Sequence, residues 1–222
     1  MWRDAALIAG KDLRVELRSK VATNQVGPFA VVILVLFAFA LDPDRKVLDQ
    51  AAPGLFWVAV LLSALLATQR SVSLETTEAS RDTLRLSGLD PAGIFLGKAG
   101  AIAAQLVVLE VLLAVGVGFL YGTAFHQVWV LVATCLLATG GLAAAGTVYG
   151  VMAAGLRVRE TLLPLLVLPV LAPVLLAATR AWEAALAGTP AEAGSWLGLL
   201  AVFCAVYVVF GILGFGTLLE EA

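Results

Sequence analysis

Six apolar runs, at about 21–41, 51–69, 94–121, 128–155, 161–179 and 196–218, each approach the ~20 residues that an α-helix needs to cross a bilayer. Lipid offers no hydrogen bonds to a backbone, so a segment of this length and character spans as a helix. The chain therefore reads as an all-α integral membrane protein, a single transmembrane domain over residues 1–222 with six spanning helices. Composition agrees: 61% of the 222 residues are hydrophobic and 14% are charged, which excludes an ordinary water-soluble core. The opening residues, with Arg3, Asp4, Lys11, Asp12, Arg14, Glu16, Arg18 and Lys20, are polar, and the first apolar run starts only near Val21. No segment reads as a cleaved signal.

Charge between the runs sets an orientation. Lys and Arg on alternate sides number eleven (3, 11, 14, 18, 20, 70, 81, 85, 98, 157, 159) against three (45, 46, 180). The side with eleven is the cytoplasm, and both termini face it. Residues 1–20 form an amphipathic interfacial helix: Trp2, Ala6, Ala9, Leu13 and Leu17 make an apolar stripe, with Lys11, Arg14 and Arg18 on another face. The longest polar interruption, residues 70–93 between the second and third spans, is also cytoplasmic. Leu74, Thr77, Arg81 and Leu84 share one helical stripe, and Glu78 with Arg81 and Asp82 with Arg85 have i,i+3 spacing. Gly88 sits where a helix C′ residue belongs, and Asp90-Pro91 is an N-cap followed by an N1 proline that starts the next helix. A short surface helix between two spans is a docking device for a soluble partner.

Within the membrane, Gly146, Gly150 and Ala154 form a small-residue ridge that lets another helix approach closely. This ridge and Gly211, Gly214 and Gly216 in the last span are the two candidates for a dimer interface. Pro164, Pro169 and Pro173 should kink or break the fifth span, which suits either a transporter hinge or plain packing. The stretch 182–195, with Gly188 and Pro190, is too polar to span and reads as a short helix in the outer interface beside Trp182 and Trp196. Glu110 is the one clearly intramembrane ionisable residue, and at a cost of roughly 2.5–3.5 kcal/mol for a charge it must face protein or water. Two readings stand for it, a substrate-path or gating residue and a structural hydrogen bond to a neighbouring helix. Cys135 and Cys204 read as free thiols, and the lone His126 is not a metal site. Nothing matches G-x-x-x-x-G-K-[ST], since Gly97-Lys98 is followed by Ala99, and no catalytic set is evident, so the chain is read as no enzyme by itself.

Several of these segments together resemble the haem exporter B family (CcmB), the membrane permeases of the cytochrome c maturation system. They are Lys11-Asp12-Leu13-Arg14-Val15-Glu16-Leu17-Arg18-Ser19-Lys20; the loop with Leu74-Glu75, Leu84, Leu86, Asp90, Ile94 and Leu96-Gly97-Lys98; Glu110; and the tract from Leu168-Pro169 through Pro173 to Arg180-Ala181. The resemblance covers nearly the whole chain. It implies an ABC-2 type permease in a bacterial inner membrane, two copies of which bind two copies of an ABC ATPase (CcmA-like), with a haem-handling membrane protein (CcmC-like) and a small single-span subunit (CcmD-like). ATP on the partner ATPase would drive release of haem to a periplasmic chaperone. The segment matching the family's coupling helix runs from Glu75 to Leu86, with Glu75, Glu78, Arg81, Asp82, Leu84, Arg85 and Leu86 as the ATPase contacts. The subunit is expected to transmit motion while the partner ligates haem, with no cofactor of its own and no partners beyond the complex and membrane lipids, nucleic acid included. Two alternatives remain: a permease of the same type for a lipid, polysaccharide or drug, and a non-motor membrane assembly protein or secondary transporter.

Overall fold

The computed structural model describes residues 1–19, 26–40, 45–75, 88–123, 125–154 and 159–221, and these contain seven α-helices and no strand. They are α1 (Trp2–Ser19), α2 (Gly27–Ala40), α3 (Arg45–Glu75), α4 (Pro91–Leu120), α5 (Val128–Ala154), α6 (Arg159–Leu186) and α7 (Pro190–Glu221). Five of them contain stretches long and apolar enough to cross a membrane: Gln50–Ser73, Pro91–Leu120, Val128–Ala153, Leu162–Leu186 and Pro190–Leu219. The first expected span corresponds to α2, whose 14 residues reach about 21 Å at 1.5 Å per residue. That is short of the ~30 Å hydrocarbon core, and the flanking residues 20–25 and 41–44 lie outside those described.

Two ends of the bundle differ in chemistry. α3 runs from Phe56 and Trp57 towards Arg70, α4 runs back from Lys98 to Tyr121, and α6 runs from Leu163 to Trp182. One end thus gathers aromatic rings: Phe56 stacks on Trp182 at a centroid distance of 4.0 Å, and Trp57 and Phe125 meet Trp182 edge-on at 6.0 and 6.4 Å. Such pairs add about 0.5–1.5 kcal/mol each beyond the area they bury. Tyr121 closes this end by donating its hydroxyl proton to the Leu34 carbonyl at 2.9 Å. Hydroxyls within the bundle turn onto their own helices: Ser63, Thr68, Thr134 and Thr147 each donate to the carbonyl four residues back. That removes the cost of burying them.

The small-residue ridges are used inside the chain. A Cβ on Gly146 would lie 2.6 Å from Thr68 Oγ1, and one on Gly150 would lie 2.8 Å from Val72 Cγ2, so this face of α5 is filled by α3. Gly211 of α7 lies against the tip of the Phe95 ring, and Gly216 faces Pro91, so α4 covers these two positions. Neither ridge is an open dimer interface at those residues, a correction to the expectation drawn from spacing alone; among the described residues Gly214 meets only its own helix's Phe210.

One further expectation is narrowed and another changes. α6 passes through Pro164, Pro169 and Pro173 without a break, in keeping with the tolerance of proline where neighbouring helices shield the freed carbonyls. The polar stretch 182–195 is no separate interfacial helix: it is the end of α6, a tight turn, and the start of α7. Thr189 N–H reaches the Ala184 carbonyl at 2.9 Å and Gly188 N–H the Ala185 carbonyl at 3.3 Å, with Gly188 at φ 74°. This is a glycine-terminated helix end, and Pro190 starts the next helix at once. Trp182 is buried in the core rather than placed at an interface.

Candidate functional site

The segment expected to meet a soluble partner begins at the last residue of α3, Glu75. Glu78, Arg81, Asp82, Leu84, Arg85 and Leu86 lie outside the described residues, so the structure speaks to the two ends of the loop and not to its middle. At the far end Gly88 has φ 66°. Asp90 then caps α4: its backbone is extended (φ −64°, ψ 123°), its Oδ1 accepts from Ala92 N–H at 3.1 Å, and Pro91 occupies the first turn. The loop's exit is built as the sequence indicates.

Both ends are held by α1. Towards its carboxyl end, Glu16 Oε2 lies 2.9 Å from Arg70 Nε, and Arg70 Nη2 donates to Ser19 Oγ at 2.6 Å. Arg70 stands five residues before Glu75 in α3. Towards its amino end, Asp4 Oδ2 accepts from the Asp90 backbone N–H at 3.4 Å, and the Met1 amino group lies 3.4 Å from Asp90 Oδ2. The Met1 amino group beside Asp4 also holds that carboxyl below its ordinary value and is itself raised by it. An 18-residue helix extends about 27 Å, and α1 uses that length to reach from the loop's exit to its entrance.

The middle of α1 is seated on α4 through glycine. A Cβ on Gly93 would lie 2.8 Å from the Met1 carbonyl oxygen, and one on Gly97 would lie 2.7 Å from both the Ala5 carbonyl oxygen and Ile8 Cβ. Only glycine permits that approach. Lys98, 3% exposed, adds an ion pair to Asp12 at 3.9 Å. Ala5, Ile8 and Glu16 are buried, whereas Trp2 and Leu17 are 74% and 75% exposed. The helix therefore has three faces: a basic one, an apolar stripe ending in exposed Trp2 and Leu17 that is available to lipid, and a docking face of Ala5, Ile8, Asp12 and Glu16. The docking face lies about a quarter of a turn from the stripe. Sequence reading found the first two. It missed Asp4, Asp12, Glu16, Ser19, Arg70 and Lys98 as a set, although the Gly93/Gly97 spacing at the head of α4 was a signal that something packs there.

Glu110 is separate from this cluster. It is 3% exposed in α4, and Thr139 of α5 donates its hydroxyl proton to Glu110 Oε1, while Oε2 has no hydrogen-bond partner among the described residues. Cys135, one turn before Thr139, also lies beside the carboxyl group and near Trp182. The geometry supports the structural reading, a cross-link between α4 and α5, and leaves one oxygen over. His126 is exposed in the linker between α4 and α5, and Cys135 and Cys204 are free thiols, partly buried.

Residues 3–220 match the family model described as CcmB protein. Among curated relatives, "Heme exporter protein B" of Haemophilus influenzae is 32% identical over 178 residues, 80% of each chain. The protein of the same name from Pseudomonas aeruginosa is 28% identical over 208 residues, 93% of each chain. That from Paracoccus denitrificans is 33% identical over 184 residues, covering 80% of this chain and 82% of the other. With five helices of spanning length and a family match from Arg3 to Glu220, this multi-pass membrane protein belongs to the CcmB family.

Proposed function

We propose that this chain is the membrane permease subunit of a haem exporter serving cytochrome c maturation, driven by a separate ATP-hydrolysing subunit. Family membership supports the haem assignment. The observation that carries the mechanical part is the double attachment of α1, at Arg70 and at Asp90, to the two ends of the loop 76–87. A loop that receives a push is useful only if its ends are tied to something that carries the displacement. Here both ends meet one helix, which is seated by Gly93 and Gly97 on a span. Force applied at Glu75, Glu78, Arg81, Asp82, Leu84, Arg85 or Leu86 would pass to α3 and α4 together, and through α1 to the membrane surface. The ATPase, a CcmC-like haem-handling protein and a CcmD-like single-span subunit are the proposed partners, with two copies of this chain per assembly. Both termini are placed on the cytoplasmic side of the inner membrane.

The reading is tested by tagging the carboxyl terminus, extracting the protein from native membranes in mild detergent and identifying what accompanies it by mass spectrometry. A Walker-motif ATPase together with a tryptophan-rich haem-handling membrane protein is the expected result. Recovery of neither, from a preparation that retains the intact chain, contradicts it. An ATPase alone would favour a permease of the same type with another substrate.

A further inference from the structure

The Glu110 carboxyl group is buried with only one of its oxygens satisfied. Thr139 of α5 donates its one hydroxyl proton to Oε1, and Oε2 has no hydrogen-bond partner among the described residues. An ionised carboxylate spreads its charge over both oxygens and offers about four lone-pair sites, all of them seeking donors. A carboxylic acid asks for less: a donor for its carbonyl oxygen and an acceptor for its O–H. Thr139 supplies the first, and the Cys135 sulfur beside the carboxyl group is a weak acceptor for the second. An O–H left without an acceptor costs one hydrogen bond, whereas a buried charge left without a donor costs several times more.

The surrounding helices bring no cation to offset a charge there. α2 carries no ionisable side chain. Arg70 of α3 is tied to Glu16 and Ser19, and Arg180 of α6 to Glu183. On α4 itself Lys98, paired with Asp12, stands twelve residues before Glu110, about 18 Å along the helix. α7 places the Cys204 sulfur against Gly140, the residue after Thr139, and its Tyr207 hydroxyl lies 3.5 Å from that of Tyr149, ten residues beyond Thr139 on α5. Trp182 Nε1 is the telling neighbour. It lies beside the same Cys135, yet it is buried with no partner. An ionised Oε2 would draw that N–H in, whereas an Oε2 that is itself a donor leaves it unbonded. We propose that Glu110 is a proton-binding site inside the bundle, and that the un-ionised acid is the latch between α4 and α5. Oε1 is the carbonyl oxygen that accepts from Thr139, and Oε2 carries the proton. Parting α4 from α5 lets water reach Oε2: the O–H bond breaks, its electron pair stays on the carboxylate, and the proton passes to water, which then donates to both oxygens. The site needs neither a motor nor a cargo, so it stands or falls apart from the permease reading.

The test is infrared spectroscopy of the full chain in lipid vesicles at neutral pH, with and without glutamate labelled by carbon-13 at the side-chain carboxyl. The wild type should show the carbonyl band of an un-ionised carboxylic acid, displaced by the label and absent from Glu110→Gln. In Thr139→Val the band should move to higher frequency, because the carbonyl oxygen has lost its donor. On unfolding in dodecyl sulfate at the same pH it should give way to carboxylate bands. If the labelled wild type shows no un-ionised glutamate band, Glu110 carries its charge and the proposal is overturned, whether or not Glu110→Gln folds. A band that Thr139→Val leaves unmoved overturns the latch, and one that persists after unfolding overturns release of the proton on opening.

Discussion

Replacing Arg70 by Gln should loosen α1 by an amount that can be worked from the pair it breaks. Glu16 is 8% exposed and would be left with a buried carboxylate facing a neutral amide. Breaking a fully buried pair costs about 3–5 kcal/mol. Here the side chains are 10% (Glu16) and 26% (Arg70) exposed, so water recovers part of the loss, and about 2 kcal/mol is the expected cost, roughly 30-fold in the equilibrium constant. Glu16→Gln should cost less, about 1 kcal/mol, because Arg70 keeps its Ser19 bond and the more exposed charge. The double variant should be no worse than Glu16→Gln, which gives a coupling energy of about 2 kcal/mol. The assay is reversible unfolding of the four proteins by titration from mild detergent into dodecyl sulfate, followed by tryptophan fluorescence and circular dichroism. A coupling energy below about 0.5 kcal/mol, the usual scatter for independent sites, would refute the claim that this pair holds α1 to α3.

Three further outcomes follow from the packing. Gly97→Leu should lift α1 from α4 at a cost of about 1–3 kcal/mol; in a protein lacking Cys135 and Cys204, an Ile8→Cys reporter should then react with a water-soluble maleimide at least about ten-fold faster, and unchanged labelling would count against the seating. Thr139→Val should cost about 1–3 kcal/mol when Glu110 is present and less than about 0.5 kcal/mol in a Glu110→Leu background, because the hydroxyl is needed only by the carboxyl group; equal costs in the same unfolding titration would show that the two side chains act independently. Gly211→Ala should destabilise by about 1–3 kcal/mol through collision with the Phe95 ring, with recovery in the Phe95→Leu, Gly211→Ala double variant; a thermal-stability assay showing no loss in the single variant would contradict the close approach of α4 and α7.

What could be read from sequence was what repeats locally. Apolar runs and the Asp90-Pro91 cap depend on neighbours a few residues away; from the second run onward each lies largely within one helix, although α3, α6 and α7 extend beyond the ends the runs suggest. The docking face of α1 was not legible because Asp12 and Glu16 look like solvent-facing residues; the partial burial of one and the burial of the other depend on Lys98 and Arg70, which folding brings together from elsewhere in the chain. The same distance effect explains the glycine ridges. A small-residue stripe states that something packs closely, but whether it is Thr68 and Phe95 of the same chain or a second copy is decided by topology. The stretch 182–195 was misjudged for a different reason: its polarity was averaged across a Gly188 turn that divides it between two long helices. Glu110 is buried, and only three-dimensional placement could supply Thr139 as its partner.

The central claim is that an ATPase moves this protein through the loop whose two ends α1 holds. Photo-crosslinking amino acids placed at positions 81 and 85, activated in native membranes and read by mass spectrometry, test it most directly. The account predicts adducts with a Walker-motif ATPase from both positions, and none from the same group placed at Val115 on the bundle's exposed side. An absence of any ATPase adduct from 81 and 85, in cells where the variants still support cytochrome c assembly, would contradict it.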